Sequence, residues 1–169
     1  MNAKSAVLVR WKRRLLELAL LAGVILGLHA YQTRGLVSGS APVFSGGLLD
    51  GEAVSLSDYY GRPVLLHFWA TWCPVCRLEQ GSIDRIAREH PVLTVALDEL
   101  SENDMRDWMT AQGVSYPVVL DPSGVIAAQF GVSGVPTSMV LDAEGRIRFV
   151  AVGYTTEAGL RLRLWWAGK

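Results

Sequence analysis

The chain has 169 residues, enough for one domain with its own core and a short appendage. Half of the residues are hydrophobic, and 16 basic residues balance 16 acidic ones. The balance is uneven. Residues 1–34 carry six basic residues and one acid, which leaves ten basic against fifteen acidic in 35–169, a net of −5 that argues against nucleic-acid binding.

The first element reads as a membrane anchor. The basic cluster "RWKRR" precedes the apolar run "LLELALLAGVILGLHAY", and Trp11 and Tyr31 bracket that run as interfacial aromatics do. Twenty helical steps between them cover roughly 30 Å, the thickness of a hydrocarbon core. Glu17, the one acid inside, lies four residues after Arg13 and can pair with it. The basic flank predicts a cytoplasmic N-terminus and a single span, with everything after Tyr31 outside the cytoplasm. A cleaved signal peptide is the competing reading, but the small residues of "SGSA" at 38–41 lie well beyond the apolar run. On either reading the rest of the chain faces an oxidising compartment, as in a bacterial periplasm. The expected organisation is a basic tip and anchor over 1–34, a tether over 35–41 and one domain over 42–169.

Within that domain "EAVSL" predicts a short strand, and "SDYYGRP" a turn with a helical start. "VLLHFWA" is a continuous apolar run, as in a strand buried on both faces. The helix after it places Ile83, Ile86, Ala87 and His90 on one face, and "VLTVAL" is a second buried strand. "SENDMRDWMTAQG" opens with a Ser-x-x-Asp cap and closes at Gly113. "YPVVLD", a short helix near 123–130, "TSMVLD", an Ala143-Glu144-Gly145 turn and "RIRFVAVG" follow, and "RLRLWW" reads as a closing helix. Helices and strands alternate, then a hairpin appears. That order predicts an α/β fold with a mixed central sheet flanked by helices.

Both cysteines of the chain lie in "FWATWCPVCRLE". Two thiols two residues apart can hold a metal, form an inert staple or act as a redox couple. A closed zinc site wants four ligands, and of the three histidines only His67 is near enough to join. Copper(I) needs only two thiolates, so a copper carrier stays open. A staple across three residues removes little chain entropy. A peroxidase usually sets Thr three residues before its Cys, and position 70 is Ala. The redox reading has a physical basis. Cys73 falls between a buried strand and a helix, where the helix N-terminus stabilises a thiolate, and Pro74 occupies the first helical position without cost. Cys76, one turn on, is expected to be the more sheltered partner. An attacker and a resolver are what thiol–disulfide exchange requires.

"FWATWCPVC", followed some sixty residues later by "GVSGVPTSMVLDAEGRI", resembles the thioredoxin superfamily, and more narrowly its membrane-anchored TlpA/ResA/DsbE-like branch. Pro74-Val75 and the run "RLEQGSIDRIAREHPVLTVAL" are similar to the ScsD-type proteins of bacterial copper-sensitivity suppression. The likeness covers Pro42 to the C-terminus. It implies a thioredoxin-like fold, an exposed nucleophile at Cys73 and a resolving thiol at Cys76; the exchange reading needs no bound cofactor, and no resident metal is expected beside the copper-carrier alternative. It implies a cis peptide before Pro136 facing the disulfide, with Trp72 shielding the site and, together with Pro74, Val75, Val135 and Thr137, lining the place where a partner docks. Its partners would be protein thiols or disulfides and a membrane electron-transfer protein of the DsbD type, at a bacterial inner membrane with the domain in the periplasm. In the anchored branch an acid often stands three residues after the second cysteine, and Glu79 fits. The superfamily often has an acid six residues before the first cysteine, where this chain has His67. Glu79 and His67 are therefore both candidates for proton transfer, with a solvated helix charge and a buried neutral histidine as their plainer alternatives. Val135-Pro136-Thr137 departs from the Ala-Pro-Glu of the cytochrome c maturation subgroup. Trp69, Trp165 and Trp166 are expected to be packing residues.

Overall fold

The computed structural model describes the backbone of residues 3–32 and 34–169, and side chains for 11–24, 27 and 34–169. The chain divides into two compact units, Met1–Arg34 and Gly35–Lys169. The first is one helix, α1, over Ala3–Gln32. Arg13 and Glu17 pair on it at 3.0 Å, as their spacing predicts. Trp11, Leu15, Leu18 and Leu21 are exposed. Among the described residues no helix is long and apolar enough to cross a membrane. Much of the far half of the apolar run, including Tyr31, lies outside the described side chains.

The second unit is an α/β sandwich. Its strands are β1 (Gly39–Ser40), β2 (Ser45–Gly47), β3 (Ala53–Ser55), β4 (Val64–Trp69), β5 (Val92–Ala96), β6 (Val118–Leu120), β7 (Thr137–Leu141) and β8 (Arg146–Val152). Its helices are α2 (Pro74–Ala87), α3 (Glu102–Gln112), α4 (Val125–Gln129) and α5 (Glu157–Ala167), with a 3-10 turn at Leu56–Tyr59. Six strands form one mixed sheet in the order β1-β8-β7-β4-β5-β6. β4, β5 and β6 run parallel, while β7 is antiparallel to both β4 and β8. β2 and β3 make a separate hairpin, tied to β6 by the bridge between Leu48 and Val119.

β4 lies at the sheet's centre, and all six of its residues are buried. Its period of two divides the core. Leu65 and Trp69 pack with Ile83 and Ile86 of α2, Met105 and Met109 of α3, and Leu160 and Leu164 of α5. Val64, Leu66 and Phe68 face the opposite layer, where Phe44, Leu56 and Phe130 lie. α3 begins and ends at the residues its sequence marks. The Ser101 side chain accepts from Asp104 N at 3.2 Å, and Gly113 takes the left-handed conformation that favours glycine. The β7–β8 turn needs its glycine twice. Gly145 has φ +76°, and a Cβ there would run into the Tyr60 ring.

The domain's hydrogen bonding starts earlier than the expected boundary at 42. Val37 N donates to Phe130 O at 3.2 Å, Gly39 and Ser40 pair with Ile147 and Arg146, and Ala41 N donates to Gly145 O at 2.9 Å. Residues 37–41, expected as tether, therefore form an edge of the domain. An edge strand this short is held by backbone groups, so its side chains carry no alternation to read.

Candidate active site

β4 delivers the chain to the site and α2 starts it. Leaving β4, the chain reaches Cys73, the N-cap of α2, with Pro74 in the first helical turn. The Cys73 sulfur accepts from Cys76 N at 3.2 Å, as an N-cap side chain does. Cys73 and Cys76 are joined as a disulfide with their Cα atoms 5.3 Å apart. Cys73 is 4% exposed and Cys76 2%, so the expected contrast between an open attacker and a sheltered resolver is absent from the disulfide form. The reason lies across the site. The carbonyl oxygen of Val135 stands 3.7 Å from the Cys73 sulfur and covers it.

That carbonyl belongs to a cis Val135–Pro136 bond, and Pro136 is buried at the head of β7. Gly153 N donates to Pro136 O at 2.8 Å, and the buried Thr137 hydroxyl donates to Gly134 O at 2.7 Å. The loop is thus fixed from both sides. Trp72, expected to shield the disulfide, stands 65% exposed, with Pro74 exposed and Val75 half-buried beside it. Apolar side chains open to solvent thus neighbour a buried disulfide along the chain.

Two titratable side chains lie in the layers around it. Glu79 is on α2, one turn beyond Cys76 on the same face, and is 1% exposed, so it is not a solvated helix charge. Its Oε1 accepts from Thr155 N, while its Oε2 has no partner. Burial pushes its pKa up to about 7, against the opposing effect of the Thr155 hydrogen bond. His67 is in the middle of β4, 2% exposed, with its Nδ1 and Ser138 Oγ in a 2.9 Å hydrogen bond. Burial pushes its pKa down to about 3, which holds it neutral and makes it a poor base.

Sequence reasoning missed Asp98. Its carboxylate accepts from Thr71 N at 2.9 Å and from the Thr71 hydroxyl at 2.6 Å, and it is 3% exposed. These bonds hold the turn that carries Trp72 and Cys73. The available signal was an acid directly after a buried strand, a position where strand-end carboxylates meet loop N–H groups. Trp69 does pack, its ring 5.3 Å from Trp108 and 5.6 Å from Tyr116, with Nε1 donating to Thr94 Oγ1 at 3.0 Å. Trp165 and Trp166, expected to pack, are 57% and 60% exposed. They lie beyond Leu164, on the side of α5 turned away from the sheet. Among the described residues no three His, Cys, Asp or Glu side chains gather into a metal site.

The AhpC/TSA family model matches residues 37–150. The thioredoxin-like protein YneN of Bacillus subtilis is 34% identical over 163 residues, covering 85% of this chain and 95% of its own. The thiol-disulfide oxidoreductase ResA of Bacillus anthracis is 29% identical over 157 residues, covering 87% of this chain and 90% of its own. Among solved structures, the exposed lipoprotein thioredoxin Etrx1 of Streptococcus pneumoniae superposes with a TM-score of 0.65 at 33% identity, over 74% of this chain and 99% of that one.

Proposed function

The chain belongs to the AhpC/TSA family, among its thioredoxin-like thiol–disulfide oxidoreductases, and on that premise we propose that it is a membrane-tethered exchanger of disulfides with protein partners in the periplasm. The observation that carries the proposal is the pairing of the Cys73–Cys76 disulfide at a helix N-terminus with the Val135 carbonyl across it, and with the buried Glu79 one helical turn beyond Cys76.

The steps follow from that arrangement. In the reduced pair, the N-terminal amides of α2 stabilise a thiolate at Cys73. Cys73 attacks a sulfur of the partner's disulfide, forms a mixed disulfide and releases the partner's first thiolate. Cys76 then loses its proton to Glu79 and attacks the Cys73 sulfur. The intramolecular disulfide re-forms, and the partner leaves with both sulfurs reduced, having gained two electrons. Run backwards, the same steps oxidise a dithiol. A carboxyl group with its pKa near 7 and one free oxygen is matched to this proton transfer at neutral pH. The Val135 backbone and the open faces of Trp72, Pro74 and Val75 would receive an extended segment of the partner, with Pro136 and Thr137 holding the loop in place.

The tether reading rests on the basic cluster and the apolar run of residues 10–31, and it leads to an inner-membrane location with the domain in the periplasm. A reporter fused after Lys169 and active only outside the cytoplasm is then active; a soluble product beginning near Ala41 shows cleavage instead. A DsbD-type membrane protein is the proposed electron partner. A copper-stress role, suggested by the ScsD-like run, stands beside general exchange, and stoichiometric Cu(I) binding without any exchange would favour a copper carrier. The function itself is tested by equilibrating the chain with glutathione buffers and measuring disulfide reduction. Two-electron behaviour at Cys73–Cys76 and turnover of a protein disulfide are expected. A pair that never cycles overturns the proposal.

A further inference from the structure

The end of α5 exposes an apolar face that the exchange reaction does not use. Leu160 and Leu164 are 1% and 2% exposed and face the sheet, while Leu162, Trp165 and Trp166 are 58%, 57% and 60% exposed on the other side. Their i, i+3, i+4 spacing gathers them into one stripe. The two indole rings sit edge to face with centroids 6.2 Å apart, and Lys169 Nζ lies 4.9 Å from the Trp165 ring centre. Beside the stripe, Arg62, Arg146, Arg148 and Lys169 line one cleft with Asp142 and Glu144. Arg146 pairs with both acids, and Arg148 lies 3.5 Å from Asp142. Four cationic side chains thus meet two acidic ones. A domain with ten basic and fifteen acidic residues has placed four of the ten here.

Exposed tryptophans rimmed by cations fit one kind of occupant. Indole rings settle at the boundary between headgroups and acyl chains, and basic side chains around them are drawn to anionic headgroups. An acidic protein would satisfy the cations but would not by itself call for two half-open indoles side by side. We propose that the Leu162-Trp165-Trp166 stripe and its basic cleft dock the domain on an anionic lipid surface. The inference rests on the patch and does not depend on residues 1–34 crossing a membrane.

Docking has a consequence for the reaction. Gly168 lies against Pro63, just before β4, and Cys73 follows the other end of that strand. Six residues of strand cover about 20 Å. Seated on this patch, the domain holds its disulfide away from the lipid and open to partners in solution.

The test uses the full chain with vesicles of brominated phosphatidylglycerol and phosphatidylcholine, or brominated phosphatidylcholine alone. The fluorescence of Trp165 and Trp166 is obtained as the difference between the chain and its Trp165→Phe/Trp166→Phe variant. Quenching of that difference by the anionic vesicles, relieved by high salt and absent with phosphatidylcholine, is expected. Arg62→Gln and Lys169→Gln should each lower the docked fraction about fivefold, while exchange with a soluble disulfide, which also reports folding, is unchanged. In the double variant, remaining lipid quenching that a further Trp11→Phe change abolishes reports Trp11, so failure of the anchor reading is seen separately. A pair left unquenched by anionic vesicles, or quenched equally by neutral ones, overturns the proposal; the first result leaves the face to a protein partner.

Discussion

The two most buried titratable side chains near the disulfide lie in regions built in opposite ways. Glu79 is on a helix packed against a loop, where one oxygen is held by Thr155 N and the other is left without a partner. His67 is in the central strand of the sheet, with Ser138 on the neighbouring strand taking its Nδ1. Burial acts on both but in opposite senses, raising the acid to about 7 and lowering the base to about 3. Burial alone therefore does not make a proton carrier. A pKa near neutral and an unpartnered oxygen suit that task, and of the two groups only the carboxyl on α2 has both, which is why the proposed exchange assigns the proton to it.

The comparison loses its object first if the sulfurs are removed. Cys73→Ser should lower disulfide exchange by about a thousandfold or more, measured by turnover of a protein disulfide. Glu79→Gln comes next. Exchange should fall by about 100-fold at neutral pH and lose its titration near pH 7, while circular dichroism stays native. An unchanged pH profile would make Glu79 a structural group and break the comparison outright. The same variant has a stability signature. The folded pKa of about 7 exceeds the ordinary 4.5, so the native chain keeps a proton that the unfolded chain has lost. Native stability therefore declines as pH rises from 4.5 to about 7, and Glu79→Gln should be more stable than the parent above that window by about 1–3 kcal/mol in urea melts.

Asp98→Asn keeps the shape but weakens the charge-assisted bonds to Thr71. A cost of about 1–2 kcal/mol is expected, with slower exchange because the Trp72–Cys73 turn loosens. His67→Gln should have the smallest effect on the rate. Its signature lies in acid. The folded pKa of about 3 is below the ordinary 6.5, so the unfolded chain takes up the proton first and native stability falls as pH drops from 6.5 toward 3. His67→Gln should flatten that decline. A large loss of exchange in this variant, with its neutral-pH stability intact, would shift the proton role to the strand.

The parts of this architecture legible in the sequence are those where side-chain pattern and burial coincide. "VLLHFWA" could be read as a central strand because it is covered on both faces, and α3 could be bounded because Ser101 and Gly113 are chemically suited to its ends. The cysteine pair announced its helix N-terminus through Pro74, and the cis bond at Pro136 came from family likeness. What stayed hidden was held by backbone or by tertiary contact. Gly39 and Ser40 pair through main-chain groups, and Asp98 becomes a brace only because Thr71 lies opposite it in space. Exposure was the least legible property. Trp72, Trp165 and Trp166 point outward, and Cys73 is covered by a carbonyl from 62 residues away. No local pattern records which neighbour arrives from so far along the chain.

The most direct test of the account is a trap. With Cys76→Ser, an attack by Cys73 cannot be resolved, so the chain should accumulate covalent adducts with partner proteins that run as reducible bands. Mass spectrometry of those bands should place every cross-link on Cys73, and Cys73→Ser should form none. Adducts that form equally well in the Cys73→Ser chain, or none in either variant while exchange persists, would contradict the assignment of Cys73 as attacker and Cys76 as resolver.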